Sequence, residues 1–192
     1  RPRRYCPIMK QKIYKLLMKL SSWKIEGIVP KDKKLIICVA PHTSNWDFFV
    51  GKIAYGSLGK KSSFLIKKEW VDNILVGWWL KLHGAIGVAR DKKTSLTDKL
   101  AEQFKKAKEL HLAITPEGTR KANPDWKMGF YHIAKKADVP ILLVGLDFKE
   151  KKAKILDLFR PTGNEELDIK SIKEKYIGIT AKYPELFDLG LA

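Results

Sequence analysis

The stretch Pro41-His42-Thr43-Ser44-Asn45-Trp46-Asp47 follows an apolar, strand-like run at residues 35–40 and leads into an apolar, helix-like run at 46–55. A histidine lies five positions before an aspartate at a strand-to-helix turn. With this spacing the carboxylate can hold one nitrogen of the imidazole ring and leave the other nitrogen free to take a proton. This pair is half of a catalytic triad, and a substrate hydroxyl can supply the missing nucleophile. The same residues are also typical of a surface turn, in which Ser44 or Asn45 caps the helix and Asp47 favours the positive end of its dipole. The rest of the chain has to decide between these two interpretations.

The composition predicts one domain that is attracted to polyanions. The 192 residues include 38 Lys and Arg against 21 Asp and Glu, which gives a net charge of +17. Nucleic acid, an anionic membrane and phosphorylated metabolites all fit this charge. Lysines are spread along most of the chain without a nucleic-acid-binding signature, so no nucleic acid is expected. Neither cysteine pairs with His at a metal-ligand spacing, so no metal is expected, and Cys38 is predicted to be a small buried thiol.

The N-terminal segment predicts a basic amphipathic helix over residues 7–20. Apolar residues recur there at helical spacing, with lysines interleaved between them. Such a helix either packs on the domain or lies on anionic lipid, and both interpretations require the same pattern of apolar residues and lysines. We therefore divide the chain into an N-terminal amphipathic, membrane-surface helix at 1–22 and a single domain at 23–192. No run reaches the roughly eighteen apolar residues of a spanning helix.

Strand-like and helix-like segments alternate through the remaining chain. This order predicts an α/β layered domain with a mostly parallel central sheet flanked by helices. We expect Phe48 and Phe49 to point inward and the apolar residues 74–80 to be mostly core, with Trp78 or Trp79 meeting lipid or a pocket. The predicted strands are 23–27, 34–40, 62–66, 84–89, 112–115, 140–148 and an edge strand at 154–158; the predicted helices are 46–55, 69–82, 94–108, 128–137 and 165–182.

Three polar segments directly follow predicted strands: His42, Arg90 and residues 117–120. Ligands gather at the carboxyl ends of parallel strands, so these segments are expected to converge. His42 would act as general base, and Asp47 would fix its tautomer. Arg90 and Arg120 would each grip a phosphate.

Supporting roles are assigned around this pair. Glu117 would hold Arg120 or an acceptor hydroxyl, and N–H groups around Gly118 or the His42 turn would face an oxyanion. His83, His111 and His132 are expected to be structural.

Four motifs resemble those of the glycerophospholipid acyltransferase family, in the right order and over residues 23–146. The first is His42-x-Ser44-x-x-Asp47, and the third is Pro116-Glu117-Gly118-Thr119-Arg120. The weaker second and fourth are Gly87-Val88-Ala89-Arg90 and Val139-Pro140-Ile141. The sequence departs from the family pattern at Pro41, Ala89, Thr115 and Leu143, where Asn, Asp, Phe and Pro are usual.

The resemblance implies an O-acyltransferase that moves a fatty acyl group from acyl-CoA or acyl-carrier protein to a lysophospholipid. Lysophosphatidic acid, giving phosphatidic acid, is the leading acceptor. His42 and Asp47 would be catalytic and Pro140 would shape the site; the substrate-binding residues would be Ser44, Arg90, Glu117, Gly118, Thr119 and Arg120. No metal or prosthetic group is implied.

The resemblance also implies a peripheral position on an anionic membrane surface, at the cytoplasmic side of the inner membrane. The alternative is a non-catalytic module of the same fold that binds anionic lipid or nucleic acid. The intact His42 and Asp47 argue against this alternative, because a pure binder needs no proton acceptor beside a carboxylate.

Overall fold

A computed structural model describes residues 7–88 and 93–191 of the chain. Strands and helices are interspersed along the chain after an N-terminal helix. In order they are α1 (Pro7–Ser21), β1 (Lys24–Glu26), β2 (Lys34–Ala40), α2 (Asn45–Ser57), β3 (Ser63–Lys67), α3 (Lys68–Asp72), α4 (Gly77–Leu82), β4 (Ala85–Val88), α5 (Lys93–Lys106), β5 (Leu110–Ile114), α6 (Gly129–Ala137), β6 (Ile141–Asp147), β7 (Lys152–Phe159) and α7 (Glu165–Glu174), followed by a 3-10 turn at Pro184–Leu186.

These strands form one sheet in the order β1-β7-β6-β2-β5-β3-β4. Every neighbouring pair is parallel except β6 and β7, so the predicted mostly parallel α/β sheet is confirmed. The prediction that 154–158 is an edge strand is wrong, because β7 lies between β6 and β1. The partner strand β1 is three residues long and lies more than 120 positions earlier in the sequence. The pattern of apolar and polar residues in β7 does not reveal that this strand pairs with β7.

Apolar side chains cover both faces of the sheet. Alternate residues of β2 point to opposite faces, as pleating requires. Ile36 and Cys38 pack with Phe104 of α5, Phe130 of α6 and Tyr176, which follows the end of α7. Leu35 and Ile37 face the other side, where α1 packs along α2. The α1–α2 side is the side on which the candidate site is built.

The helix α1 presents apolar side chains in two directions. Gln11 donates to the carbonyl of Ser57 (3.1 Å), and Met18 is buried against Ala54, so one face of the helix packs on the domain. The apolar residues of the other face stay exposed; they are Met9, Ile13, Leu16, Leu17 and Leu20. The prediction that this helix packs on the domain is thus confirmed for one face, and contact of the exposed face with lipid stays a prediction.

The predicted helix at 69–82 is instead two short helices, α3 and α4. The Asn73 side chain accepts hydrogen bonds from the N–H groups of Leu75 and Val76, which stabilises a turn between them. The prediction that residues 74–80 are mostly core is wrong, because Ile74 is 92% exposed and Leu75 is 82% exposed. Trp78 and Trp79 are exposed as well.

Two other helix predictions need correction. Phe48 and Phe49 are 42% and 52% exposed rather than inward, because α2 turns Asp47 and Ala54 toward the sheet. The helix predicted at 165–182 ends at Glu174, and Gly178 follows with a φ of +84°. A left-handed residue cannot continue a helix and favours glycine.

Candidate active site

The first and third motifs meet at one edge of the sheet. The strands β2 and β5 are parallel neighbours, paired from Lys34 with Leu110 to Cys38 with Ile114, so they end together. His42 follows the end of β2, and Glu117 follows the end of β5. The backbone N–H of His42 donates to Oε2 of Glu117 over 2.9 Å, which joins the two segments directly.

The side chains of His42 and Asp47 lie side by side, as their spacing predicted. The His42 Nδ1 atom is 3.3 Å from Oδ2 of Asp47, which is the distance of an ion pair. The two groups are not aligned as a hydrogen bond, and Nδ1 is buried without another hydrogen-bond partner in the described part of the chain. Asp47 is buried and His42 is half-buried. With Nδ1 directed at the carboxylate, Nε2 is the nitrogen available to a substrate.

Asp47 also stabilises the start of the helix α2, in which it is the third residue. It accepts the backbone N–H of Ser44 at Oδ2 (2.7 Å) and the Ser44 hydroxyl at Oδ1 (2.9 Å). The bond from the Ser44 N–H is one half of a capping box, and in the other half the Ser44 side chain accepts the backbone N–H of Asp47; this arrangement satisfies free N–H groups at a helix start. One carboxylate therefore caps the helix and also faces the imidazole, and the catalytic interpretation of the pair stays a prediction. Ser44 is buried, and its hydroxyl group donates to Asp47.

Glu117 is a buried carboxyl group that contacts the main chain of His42. It is 2% exposed, and its two oxygens lie 2.9 and 3.2 Å from the His42 nitrogen. Burial raises the pKa of Glu117 to about 7, while the His42 N–H opposes this rise. In the described residues no ion pair joins Glu117 to Arg120, so the predicted partner is replaced by the His42 backbone.

This raised pKa predicts a pH dependence of stability. Between its usual pKa of 4.5 and about 7, folded protein keeps the Glu117 proton that unfolded protein has lost. Stability from this group is therefore present at low pH and is lost as pH rises through 7. From pH 5 to pH 8, the free energy of unfolding should fall by about 2–3 kcal/mol more in the parent than in Glu117→Gln. Urea unfolding at both pH values measures this difference, and equal changes in the two proteins would contradict it.

Two of the N–H groups near the predicted oxyanion position, those of His42 and Gly118, already donate to other atoms of the protein. The His42 N–H donates to Glu117, and the Gly118 N–H donates to the carbonyl of Thr115 (3.3 Å). Gly118 has a φ of +66°, and a Cβ there would lie 2.6 Å from Cδ of Lys127. The positive φ favours glycine at this position, whereas the flexible end of the Lys127 side chain can move aside.

The remaining predicted site residues that the structure describes do not lie directly beside the His42 imidazole. Gly118 and Arg120 are exposed at the tip of the loop, and Thr119 accepts the N–H of Lys121 (3.3 Å). Pro140 lies at the start of β6 and its carbonyl accepts the N–H of Ile36, so it sits at the sheet edge opposite His42. Arg90 lies outside the described residues.

An apolar cavity of about 330 Å³ opens beside His42 and Asp47. It runs between α2 and the sheet and is lined by Val39, Ala54, Ala113 and Val144, with Lys52 and Ser62 toward its far end. Sequence reasoning missed this cavity, because the alternating apolar residues that line it are also what a filled core requires. A narrow apolar space of this kind fits a hydrocarbon chain.

The C-terminal segment also reaches the site, and no motif pointed to it. The backbone N–H of Tyr183 donates to the hydroxyl of Thr43 (3.3 Å), and Nζ of Lys182 lies 4.9 Å from the ring centroid of Trp46. Lys127 and Lys182 thus bring positive charge to the two loops that flank His42. A cationic rim of this kind favours an anionic substrate group.

Comparisons with known proteins agree with the motifs. A family model described as Acyltransferase matches residues 22–146. A 1-acyl-sn-glycerol-3-phosphate acyltransferase of Streptococcus pneumoniae (strain ATCC BAA-255 / R6) is 32% identical over 136 residues, which cover 67% of this chain and 50% of that protein. The chain thus spans about half the length of this curated relative.

The fold also resembles a solved structure. The 1-acyl-sn-glycerophosphate (LPA) acyltransferase PlsC from Thermotoga maritima superposes with a TM-score of 0.61 at 22% identity, covering 91% of this chain and 78% of that one. At this identity the likeness establishes a common fold.

Proposed function

Since this chain belongs to the glycerophospholipid acyltransferase family, we propose that it moves a fatty acyl group from acyl-CoA or acyl-carrier protein to the hydroxyl of a lysophospholipid. One observation supports this most strongly: the His42 imidazole lies beside buried Asp47 at an apolar cavity. A base and a hydrocarbon site in one place are what acyl transfer to a lipid hydroxyl requires. Lysophosphatidic acid, giving phosphatidic acid, is the proposed acceptor.

In the proposed reaction the acceptor hydroxyl oxygen attacks the thioester carbonyl while Nε2 of His42 takes its proton. Asp47 stabilises the imidazolium that forms. The tetrahedral intermediate collapses with cleavage of the carbon–sulfur bond, and the imidazolium returns the proton to the leaving thiolate. The products are the new ester and a free thiol. The steps use side chains alone, with no metal or prosthetic group.

The charge near His42 supports an acceptor that carries phosphate. Arg120 is exposed on the loop that contacts His42, and Lys127 and Lys182 extend the positive rim. A guanidinium group presents a planar fork of donors that matches two phosphate oxygens, a geometry that an ammonium group lacks. Arg90 keeps the phosphate-binding role that the family resemblance gives it.

The cavity is proposed to hold the acyl chain of the donor. Gly51 lies on the cavity face of α2, in the same stripe as Asp47 and Ala54, and a Cβ built on it meets no atom within 4 Å.

We expect Gly51→Leu to fill the cavity without a backbone clash. Displacing about three methylene groups at about 0.8 kcal/mol each should lower kcat/KM for palmitoyl donors about 10- to 50-fold relative to octanoyl donors. Helix propensity favours leucine over glycine, so stability should not suffer. Exposed Gly129, at the start of α6 and away from this cavity, provides the control Gly129→Leu. An unchanged chain-length preference in Gly51→Leu would contradict this placement of the chain.

We further propose that the protein docks peripherally on an anionic membrane, at the cytoplasmic side of the inner membrane. Within residues 7–88 and 93–191, no helix combines the length and apolar character needed to cross a bilayer. Large apolar side chains nevertheless stay exposed on α1, α2, α4 and the α3–α4 turn. Clustered exposed apolar residues beside lysines are typical of a membrane contact.

The most exposed apolar pair provides a test of docking. Ile74→Ser together with Leu75→Ser should weaken binding to anionic vesicles at least about tenfold, because each apolar side chain contributes about 1.5–3 kcal/mol when buried. The matched control is Leu167→Ser with Ile177→Ser; Leu167 lies in α7 and Ile177 follows its end, and they are 63% and 65% exposed. Co-sedimentation with vesicles measures both variants, and equal losses would contradict a directed contact.

The proposed activity is tested by offering acyl-CoA and acyl-carrier protein donors with a panel of lysophospholipids. Mass spectrometry should detect a diacyl product that depends on His42, with the largest yield from lysophosphatidic acid. Absence of product from every donor and acceptor pair would overturn the proposal.

A further inference from the structure

A second cavity, of about 510 Å³, lies at the sheet edge opposite His42. It is built where β3, β4 and β5 begin, at Ser63, Gly84 and Leu110. Five residues of β5 separate this edge from the other, a distance of about 17 Å along the strand. The two cavities approach each other at Lys52, whose Nζ donates to the carbonyls of Ser62 and His83 (2.8 Å each).

This second cavity is strongly cationic. Five lysines line it, namely Lys10, Lys52, Lys60, Lys61 and Lys81, against the single carboxylate of Glu109. In the described part of the chain none of the five lies within ion-pair distance of a carboxylate. Lys60 donates to the carbonyl of Pro30, while Lys10, Lys61 and Lys81 are exposed. The cavity thus gathers five lysines around one carboxylate, so positive charge is in excess.

The lysines also repel one another. Burial and, to a smaller extent, the positive charge of Lys10 together lower the pKa of Lys52 to about 8. A bound anion would relieve this repulsion and accept the remaining donors of the ammonium groups.

Apolar surface flanks the cavity on two sides. The helix α1 contributes Lys10, Gln11 and Tyr14 to its wall, and it also carries exposed Met9 and Ile13. From the other side α4 contributes Lys81 and Leu82, and its Trp78 and Trp79 are exposed. An anion held here lies between two surfaces suited to hydrocarbon, which is the chemical pattern of a phospholipid.

We propose that this second cavity binds the phosphate head group of an anionic membrane phospholipid, distinct from the acceptor that reacts at His42. The inference rests on the proposed membrane contact and not on acyl transfer. A head group bound here would fix how the domain sits on the bilayer, because α1 and α4 would enter the interface together. Soluble phosphate explains the lysines but leaves the flanking apolar surfaces without a role, and nucleic acid does the same.

Lysine footprinting of the whole chain tests this site without any acyl donor. Acetylation by a soluble reagent, read by mass spectrometry, is compared with and without dibutyryl phosphatidic acid, a monomeric head-group probe. At ten times its Kd this probe should slow the modification of Lys61 and Lys81 about tenfold. Exposed Lys12 and Lys19 of α1, which do not line the cavity, should react as before.

Two other probes identify the source of the phosphate. Inorganic phosphate and a short single-stranded oligonucleotide should protect these lysines far less than the lipid probe does. Equal protection by inorganic phosphate would assign the site to free phosphate, and equal protection by the oligonucleotide would assign it to nucleic acid. Either result, or no protection by the lipid probe, would overturn the proposal.

Two double variants test independently whether the second cavity binds anionic lipid. The double variant Lys61→Gln with Lys81→Gln should bind vesicles of phosphatidylcholine and phosphatidic acid about tenfold more weakly. Each lysine near an anionic surface lowers the Kd for the membrane by about tenfold or less. The control Lys99→Gln with Lys170→Gln removes equal charge from α5 and α7 and should bind like the parent. Equal losses would mean that total charge, rather than the cavity, drives binding. Neither measurement involves catalysis, so a failed acyl-transfer assay would not affect it.

Discussion

Replacing His42 with alanine is expected to lower kcat for acyl transfer by about 10²–10⁴, the usual contribution of a positioned general base. The effect should fall on kcat more than on KM, because the imidazole acts on the hydroxyl proton as the bond forms. Release of free thiol from acyl-CoA, followed with lysophosphatidic acid as acceptor, measures the rate. The backbone of residue 42 can still donate to Glu117, so the turn should persist.

The control for this change is His132→Ala. His132 lies on α6, 3.7 Å from Glu165 and away from the cavity beside His42. Its loss should change kcat less than about twofold, as is usual for a surface substitution. If both alanine variants match the parent rate, the assignment of His42 as the base is wrong.

Replacing Asp47 with asparagine has the second largest expected effect. An amide can present an N–H to Nδ1 and favour the wrong imidazole tautomer, and it cannot stabilise the imidazolium by charge. A loss of kcat of about 10²–10⁴ follows by analogy with the aspartate of a serine-protease triad. The same rate assay measures it.

Because Asp47 also caps α2, its two roles must be separated. Ser44→Ala removes the hydroxyl bond to Oδ1 but leaves the carboxylate beside His42, and it should cost about 1 kcal/mol of stability. We expect Asp47→Asn to lose a similar amount of stability but far more activity than Ser44→Ala. Equal activity losses at equal stability would mean that Asp47 acts only by holding the helix.

The convergence of the two strongest motifs could be predicted from the sequence. The apolar runs at 34–40 and 112–115 are long enough to identify buried strands, and helices between strands imply parallel pairing. Parallel strands end at one edge, so His42 and Glu117 had to be neighbours if β2 and β5 were adjacent. The same logic excludes Pro140, since it precedes its strand and therefore lies at the opposite edge.

Burial was harder to predict than strand order. Residues 74–80 have the composition of a core segment, yet Ile74 and Leu75 are exposed. Hydrophobicity gives the same signal for a side chain that faces a core and for one that faces lipid. The turn at Asn73 was the one local sign of a break, and its effect depends on two hydrogen bonds to the following main chain.

The role of Glu117 could not be predicted because it depends on a contact between distant segments. The motif identifies a carboxyl group near an arginine, and pairing the two is the simplest assumption. In the structure the carboxyl is buried and accepts the His42 N–H across 75 positions of sequence. That contact helps to hold the turn that carries the imidazole, so the third motif supports the first.

The central claim is that one bound donor places its acyl chain in the cavity and its thioester beside His42. Photo-crosslinking tests this most directly, using an acyl-CoA whose chain ends in a diazirine, with His42→Ala to prevent turnover. Adducts should map by mass spectrometry to residues that line the cavity between α2 and the sheet, such as Ala54 or Val144. Adducts confined to the exposed apolar residues of α1 and α4 would contradict the account.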